Sequence, residues 1–396
     1  MKKIIYLIIL SCCVIHSRAD YWTQKANFPV PTVFAAGFAI GDSGYAGTGA
    51  IPSYVNTFYK YDPAANTWTT KSNFGGLARA GASSFVINNK GYVVNGISQS
   101  FVFKDCWEYD PAADTWTQKA DFGGLERASA ASFVVNGKAY VGIGDDGIIP
   151  LSDFWEYNPV TNTWQQKANF STLGRTRAAS FSIGNKGYVG CGQDGNLIYR
   201  QDFWEYDPAQ NSWTQIANFP GGVRMDPAGL ATSNYGYVGT GVVSVHQSDW
   251  WQYDPGSNSW IQKANYGGAA RGATTGFVIG NKVYLGTGGN GTLYFQDWWE
   301  YTPDSVTGTH IDGIGYLSFK ISPNPVRDFC ELSIGDIALT SETSFNLFDI
   351  HGKLIASQHV QDRQPVRLDF RQLDPGVYFL EVRSGTSKGI KKIVKD

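Results

Sequence analysis

The chain has 396 residues, of which 15% are aromatic, 46 are glycine and only 17% are charged. That balance excludes a mainly helical protein and suits many short strands joined by tight turns. A formal net charge of -2 removes any electrostatic case for nucleic acid or an anionic membrane as partner.

In chain order, residues 1–19 read as a secretory signal. Lys2 and Lys3 form a charged start, Ile4 to Ile15 an apolar run, and Ser17-Arg18-Ala19 a small-residue cleavage context. The run is too short for a stable membrane span and no later segment qualifies, so no transmembrane segment is expected. Acylation at Cys12 or Cys13 is the rival reading of this leader. Cys106, Cys191 and Cys330 remain, an odd set without framework spacing that is read as buried single thiols.

Residues 20–303 repeat themselves. Tyr45, Tyr92, Tyr140, Tyr188, Tyr237 and Tyr284 fall 47, 48, 48, 49 and 47 residues apart. Before each lies an apolar strand and a tight Asn/Gly turn of hairpin type. After each comes a phrase such as "DFWEYDP", and in the first five units a tryptophan phrase such as "NTWTTK" follows it. One unit is therefore four strands, and four-strand units at this period predict a β-propeller. The sixth unit ends at "DWWEYTPDS" without its tryptophan strand, whereas "YWTQK", with Trp22, stands alone near the start. The fold expected is all-β: a six-bladed propeller closed by the N-terminal strand, since an open ring would expose two sheet edges.

A glycine after the second strand, then a tyrosine and a tryptophan (Tyr61/Trp68, Tyr109/Trp116, Tyr157/Trp164, Tyr206/Trp213, Tyr253/Trp260), resemble the kelch family over residues 21–303. The usual adjacent glycine pair is mostly Gly-x-Gly here, as in Gly47-Thr48-Gly49, so no known kelch site transfers residue by residue.

Residues 304–317 read as a polar linker and 318–396 as a small C-terminal β-sandwich. Pro323-Asn324-Pro325, "FDIHGKLI" with Gly352, "DPGVYFLEV" with Gly376 and Tyr378, and the basic Lys391 and Lys392 resemble the sorting domain of the type IX secretion system of Bacteroidetes-type bacteria. The resemblance implies export to the periplasm and then passage across the outer membrane, with the secretion machinery as partner and the cell surface or medium as destination. A tail that stays attached and binds something itself is the alternative.

Chemistry is harder to find. Three Gly-x-Gly-x-x-Gly segments (from Gly142, Gly190 and Gly286) lack a following helix and recur at the repeat period, so they are turns. Some kelch proteins resemble galactose oxidase, but its copper site needs two imidazoles, and the repeat region holds only His246. His310 falls in the linker, and His351 and His359 in the tail. No metal site and no cofactor are expected. Recurrent Asp105, Asp153, Asp202, Asp249 and Asp297 read as turn acceptors, and Glu108, Glu156, Glu205 and Glu300 as outer-strand residues.

Thirteen residues before the repeat tyrosines stand Arg79, Arg127, Arg175, Arg224 and Arg271, with Thr32 in the first unit. This places five guanidinium groups near the channel mouth, either for an acidic ligand or tying blade to blade through carbonyls and aspartates. In kelch-like folds the loops between second and third strands share that face, and here they vary most. They carry Tyr54, Phe101, Phe103, Ile149, Tyr199, Arg200, His246, Tyr294 and Phe295. Variable loops on a rigid scaffold point to a non-catalytic binding or adhesion module for an extracellular protein or glycan. The alternative is a small-sugar enzyme of the sialic-acid mutarotase kind that six-bladed kelch propellers resemble. His246, Glu126 and Asp145/Asp146 are its singular candidates.

Overall fold

The computed structural model describes residues 17–18, 20–170, 173–306, 319–334, 343–350, 352–359, 366–384 and 387–396. The proposed leader before Ser17, Ala19, most of the linker and His310 and His351 lie outside them. The chain divides into one compact unit over Arg18–Ser305 and another that includes Val306–Asp396. Among the described residues no helix is long and apolar enough to cross a membrane.

Blade three shows the plan of the larger unit. Ala131–Val135, Lys138–Gly142, Phe154–Asn158 and Thr163–Lys167 pair antiparallel in chain order. Asn136 and Gly137 both take left-handed φ (51° and 72°), the conformation a two-residue hairpin needs. The innermost strand alternates buried and half-buried residues, the second is buried along most of its length, and the outer one is largely exposed. The apolar core lies between blades: Phe133, Tyr140 and Phe154 pack with Val189, Tyr206 and Trp213 of the next blade. Innermost strands touch in cyclic order, with the sixth against the first.

Blade six is built from both ends of the unit. Thr275–Ile279, Lys282–Gly286 and Trp298–Thr302 are completed by Tyr21–Lys25, with Trp22 opposite Tyr301 as Trp164 is opposite Tyr157. Trp22 donates from Nε1 to the Ala264 carbonyl at 3.0 Å and meets Trp250 and Tyr266 edge-on at 5.3 and 5.0 Å. Asp20 joins it, accepting from Tyr301 Oη at 2.9 Å and from the Ala264 N–H. Asn162 does the same for Tyr157 and Ala120 in blade three. The protein is all-β, a six-bladed propeller closed by its N-terminal strand.

In the tail, a three-stranded sheet (Phe319–Ser322, Phe329–Ile334, Val366–Asp369) and a four-stranded one (Leu354–His359, Ser344–Asp349, Gly376–Ser384, Ser387–Lys395) share one core. Cys330, Leu332, Phe345, Leu347, Tyr378 and Leu380 belong to it. Asn324 of the Pro-Asn-Pro motif grips the last strand, donating to the Lys392 carbonyl and accepting from Val394 N–H. Gly352 takes φ 79° in a turn, Gly376 pairs with Lys395, Tyr378 Oη donates to the Asp374 carbonyl, and Lys391 and Lys392 are exposed.

Candidate functional site

The repeated arginines sit beneath the loop face, and their guanidinium groups are engaged. Arg127 is fully buried and makes a bidentate pair with Asp153 at 2.8 and 2.9 Å. Its Nη1 also donates to the Ile143 carbonyl and its Nε to the Leu125 carbonyl, both at 3.0 Å, and Phe122 packs on the guanidinium. Asp153 accepts further from Trp155 Nε1 at 2.7 Å. Burial opposes ionisation of Asp153, but the Arg127 pairing outweighs it and holds the carboxyl below the usual range. Arg79–Asp105, Arg175–Asp202, Arg224–Asp249 and Arg271–Asp297 repeat the bidentate clamp within their own blades.

Two expectations are corrected by this geometry. The mouth is not a ring of free guanidinium groups, because each is spent on a carboxylate of its own blade. The aspartates expected as turn acceptors are the other halves of these clamps. Blade-to-blade ties come from the arginine backbone instead: Gly96 N–H donates to the Arg127 carbonyl and Gly144 N–H to that of Arg175. The residue between the paired glycines is left-handed (Ile143, φ 52°), and its carbonyl meets the guanidinium. The glutamates of the third strands accept from the repeat tyrosines, Tyr140 to Glu156 at 2.7 Å and Tyr188 to Glu205 at 2.9 Å. Blade one lacks the whole clamp: Thr32, Thr57 and Tyr59 replace arginine, aspartate and tryptophan, and Thr32 Oγ1 is buried without a partner.

Other expected residues scatter over the same face. Phe103 stacks on Arg79 with 3.9 Å between guanidinium carbon and ring centre, and Phe295 does so on Arg271 at 3.8 Å. Both therefore brace the clamps. Arg200 pairs with Asp194. Tyr54, His246 and Tyr294 form single bridges to Ala50, Val242 and Gly289 within their own loops. Partial burial holds the His246 imidazole below its ordinary pKa. Asp146 caps its loop by accepting from the Ile148 and Ile149 N–H groups, whereas Asp145 accepts from Thr176 Oγ1 at 2.6 Å. Glu126 is exposed.

The axis holds residues that the sequence reading passed over. Phe34, Gly81, Ser129, Arg177, Asp226 and Ala273, one per blade, all take left-handed φ between 52° and 63°. Each N–H donates to the carbonyl of the preceding blade's residue, and Phe34 N–H to that of Ala273, closing a six-membered ring of hydrogen bonds. That cycle holds a conformation which L-residues rarely adopt. Arg177 reaches Asp226 at 3.4 Å and lies over the Phe34 ring. Burial pushes the Asp226 carboxyl up to about 6; Arg177 works against the rise and Asp145 adds to it. The signal lay two residues after each arginine, in a column where the repeat never settles on one residue type.

Exposed apolar side chains are distributed unevenly. Among the propeller's described residues, only Tyr21, Val160, Tyr235 and Ile261 of the exposed large hydrophobics lie away from the loop face. The rest stand on loops entering the innermost strands or joining second to third strands, with Ile148 88% and Leu197 72% exposed.

Residues 43–174 match the model of the KLHDC2/KLHL20/DRC7 Kelch-repeats domain, and residues 320–396 that of the Secretion system C-terminal sorting domain. The chain is a kelch-repeat propeller with a secretion sorting tail. This kelch propeller is also similar to the solved structure of YjhT, at 18% identity and a TM-score of 0.62, over 69% of this chain and 95% of that one. No curated protein matches it. The tail marks this kelch protein for type IX secretion to the cell surface or the extracellular space.

Proposed function

We propose that the propeller is a non-catalytic binding module, exported with a signal peptide ahead of Asp20, that holds an extracellular protein or glycan on its loop face. The observation that carries this is the asymmetry of apolar exposure: one face presents Ile148, Leu197 and Leu293, while the opposite turns are almost free of such groups. Exposed apolar side chains on the variable loops of one face favour a binding surface, and beneath them the Arg–Asp clamps anchor the loop bases of blades two to six. The test is binding of purified full-length protein to cell envelopes and extracellular fractions of the producing cells. Replacing Ile148, Leu197 and Leu293 by Asp abolishes binding, whereas Val160→Asp on the opposite face leaves it intact. Equal binding by both variants would overturn the reading.

A second reading, turnover of a small acidic sugar, has one observation in its favour. Asp226 is buried at the axis beside Arg177, with a carboxyl poised near neutrality as a proton-transfer group requires. Sialic-acid anomer exchange followed by NMR, present in the wild type and lost in Asp226→Asn, would establish it in place of simple binding.

A further inference from the structure

The ring of left-handed residues fixes one position per blade at the axis: Phe34, Gly81, Ser129, Arg177, Asp226 and Ala273. Each stands two residues before an innermost strand, at the base of the loops that carry the exposed apolar tips. Innermost strands touch in cyclic order, so Phe34 of blade one and Arg177 of blade four face each other across the axis. Arg177 crosses it, and its guanidinium carbon lies 5.5 Å from the centre of the Phe34 ring. The mouth therefore already holds a cation, set among an aromatic face, the Asp226 carboxylate and the Met225 sulfur.

That cation is held loosely. Arg127 is wholly buried and makes four hydrogen bonds of 3.0 Å or less within its own blade. Arg177 reaches Asp226 Oδ2 through Nη1 alone, at 3.4 Å, and its side chain is 39% exposed. Its Nε and Nη2 meet no protein acceptor among the described residues. Asp226 is served still less well. Its side chain is only 8% exposed, yet among the described residues it accepts this one long contact, whereas Asp153 accepts three of 2.9 Å or less. A carboxylate so far withdrawn from water is stabilised by further donors, and charged donors are the strongest.

The surrounding charge selects the sign of an occupant. Asp145, which accepts from Thr176, adds a second carboxyl whose charge acts on Asp226, so two carboxyls stand against one guanidinium. An anion would meet that surplus, and a cation is drawn to it. An apolar group would bury Asp226 further without supplying a donor. A planar guanidinium suits the site better than a compact ammonium, because it stacks on an aromatic ring and pairs with both oxygens of a carboxylate. Arg177, tied into the ring by its own backbone, engages only one of those oxygens.

We propose that the axial mouth is a subsite for an arginine side chain of a protein partner, with Arg177 as its internal stand-in. Arg177 swings into solvent when the partner's guanidinium takes Phe34 and Asp226. This deepens the reading of the loop face as a binding surface and rests on it. The test uses full-length protein at pH 8, where Asp226 is ionised, and the blocked peptide acetyl-Gly-Leu-Arg-Leu-Gly-amide, read by saturation-transfer NMR and calorimetry. The peptide binds, and exchanging its arginine for neutral citrulline weakens binding about tenfold. Asp226→Asn costs as much. Arg177→Gln removes the competing stand-in and tightens binding about fivefold. Asp121→Asn, at an exposed acid away from the axis, leaves it unchanged. Equal affinity for the citrulline peptide overturns the subsite, and that arm needs no variant to fold. Loss of binding in Arg177→Gln, an equal loss in Asp121→Asn, or no binding at millimolar peptide also overturns it. N-acetylneuraminate bound by the wild type and lost in Arg177→Gln overturns it in favour of the acidic-sugar reading. The two proposals fail separately: envelope binding lost in the Ile148/Leu197/Leu293 variant, with arginine and citrulline peptides alike, removes the subsite and keeps the loop face.

Discussion

Blade three is one continuous stretch of chain, and blade six is stitched from strands about 250 residues apart in sequence, yet the two are nearly superimposable in their chemistry. Lys167 reaches Glu156 at 3.2 Å in blade three, and Lys25 reaches Glu300 at 3.3 Å in blade six. Asn162 and Asp20 occupy the same turn position and satisfy the same pair of donors. Connectivity therefore does not enter the blade's internal energetics. What differs is consequence: the fourth strand of blade three can fray locally, whereas that of blade six is also the seam of the ring.

The largest effect comes from breaking that seam. Deleting residues 21–28 removes the outer strand of blade six, Trp22 and Phe28, which is buried against Trp298 and Trp68. It leaves the outer edge of Trp298–Thr302 unpaired. The loss approaches the whole stability of an ordinary domain, ~5–15 kcal/mol, and is read as loss of the cooperative thermal transition. A truncated protein melting as the wild type does would mean that the ring holds without its N-terminal strand.

Next come the clamps, which the comparison predicts to be interchangeable. Arg127→Ala and Arg271→Ala each leave a half-buried aspartate without its partner and a cavity in place of the buried guanidinium, with expected losses of roughly 3–5 kcal/mol by denaturant unfolding. Equal losses would show that the stitched blade is as tightly clamped as the continuous one. A much smaller loss in Arg271→Ala would mean that blade six is already strained by its closure.

How much of this was legible follows from what each signal encodes. Trp22 could be assigned from strand counting alone, because a period of 48 residues and a missing sixth tryptophan leave one candidate. The arginines were legible as a column, but not their direction, since a column fixes position along the strand and not where a long side chain turns. One clue was available: blade one loses Thr32's arginine and Thr57's aspartate together, as partners do. The axial pair Arg177 and Asp226 carries no repeat signal, because the axis is where the repeat varies.

The smallest effect is electrostatic and discriminates most sharply between the two blades. Glu156 and Glu300 are both held below the ordinary glutamate range: burial raises each, but hydrogen bonds from Lys138 and Tyr140, or Lys282 and Tyr284, and the second lysine prevail. A carboxyl with a lowered folded pKa adds stability that is present above its unfolded value, near 4.5, and lost as pH falls through the folded value. Glu156→Gln and Glu300→Gln should therefore flatten the acid limb of the stability–pH curve to the same extent. Lys25→Ala should weaken only the Glu300 contribution, by about 0.5 kcal/mol at neutral pH and by less near pH 3, where the carboxyl it serves is being protonated. Combining Lys25→Ala with Glu300→Gln should then cost no more than Glu300→Gln alone, whereas combining it with Glu156→Gln should be additive. Additivity in both pairs would show that Lys25 holds the seam by backbone pairing and packing alone, and that the charge shared across the two chain ends contributes nothing to closure.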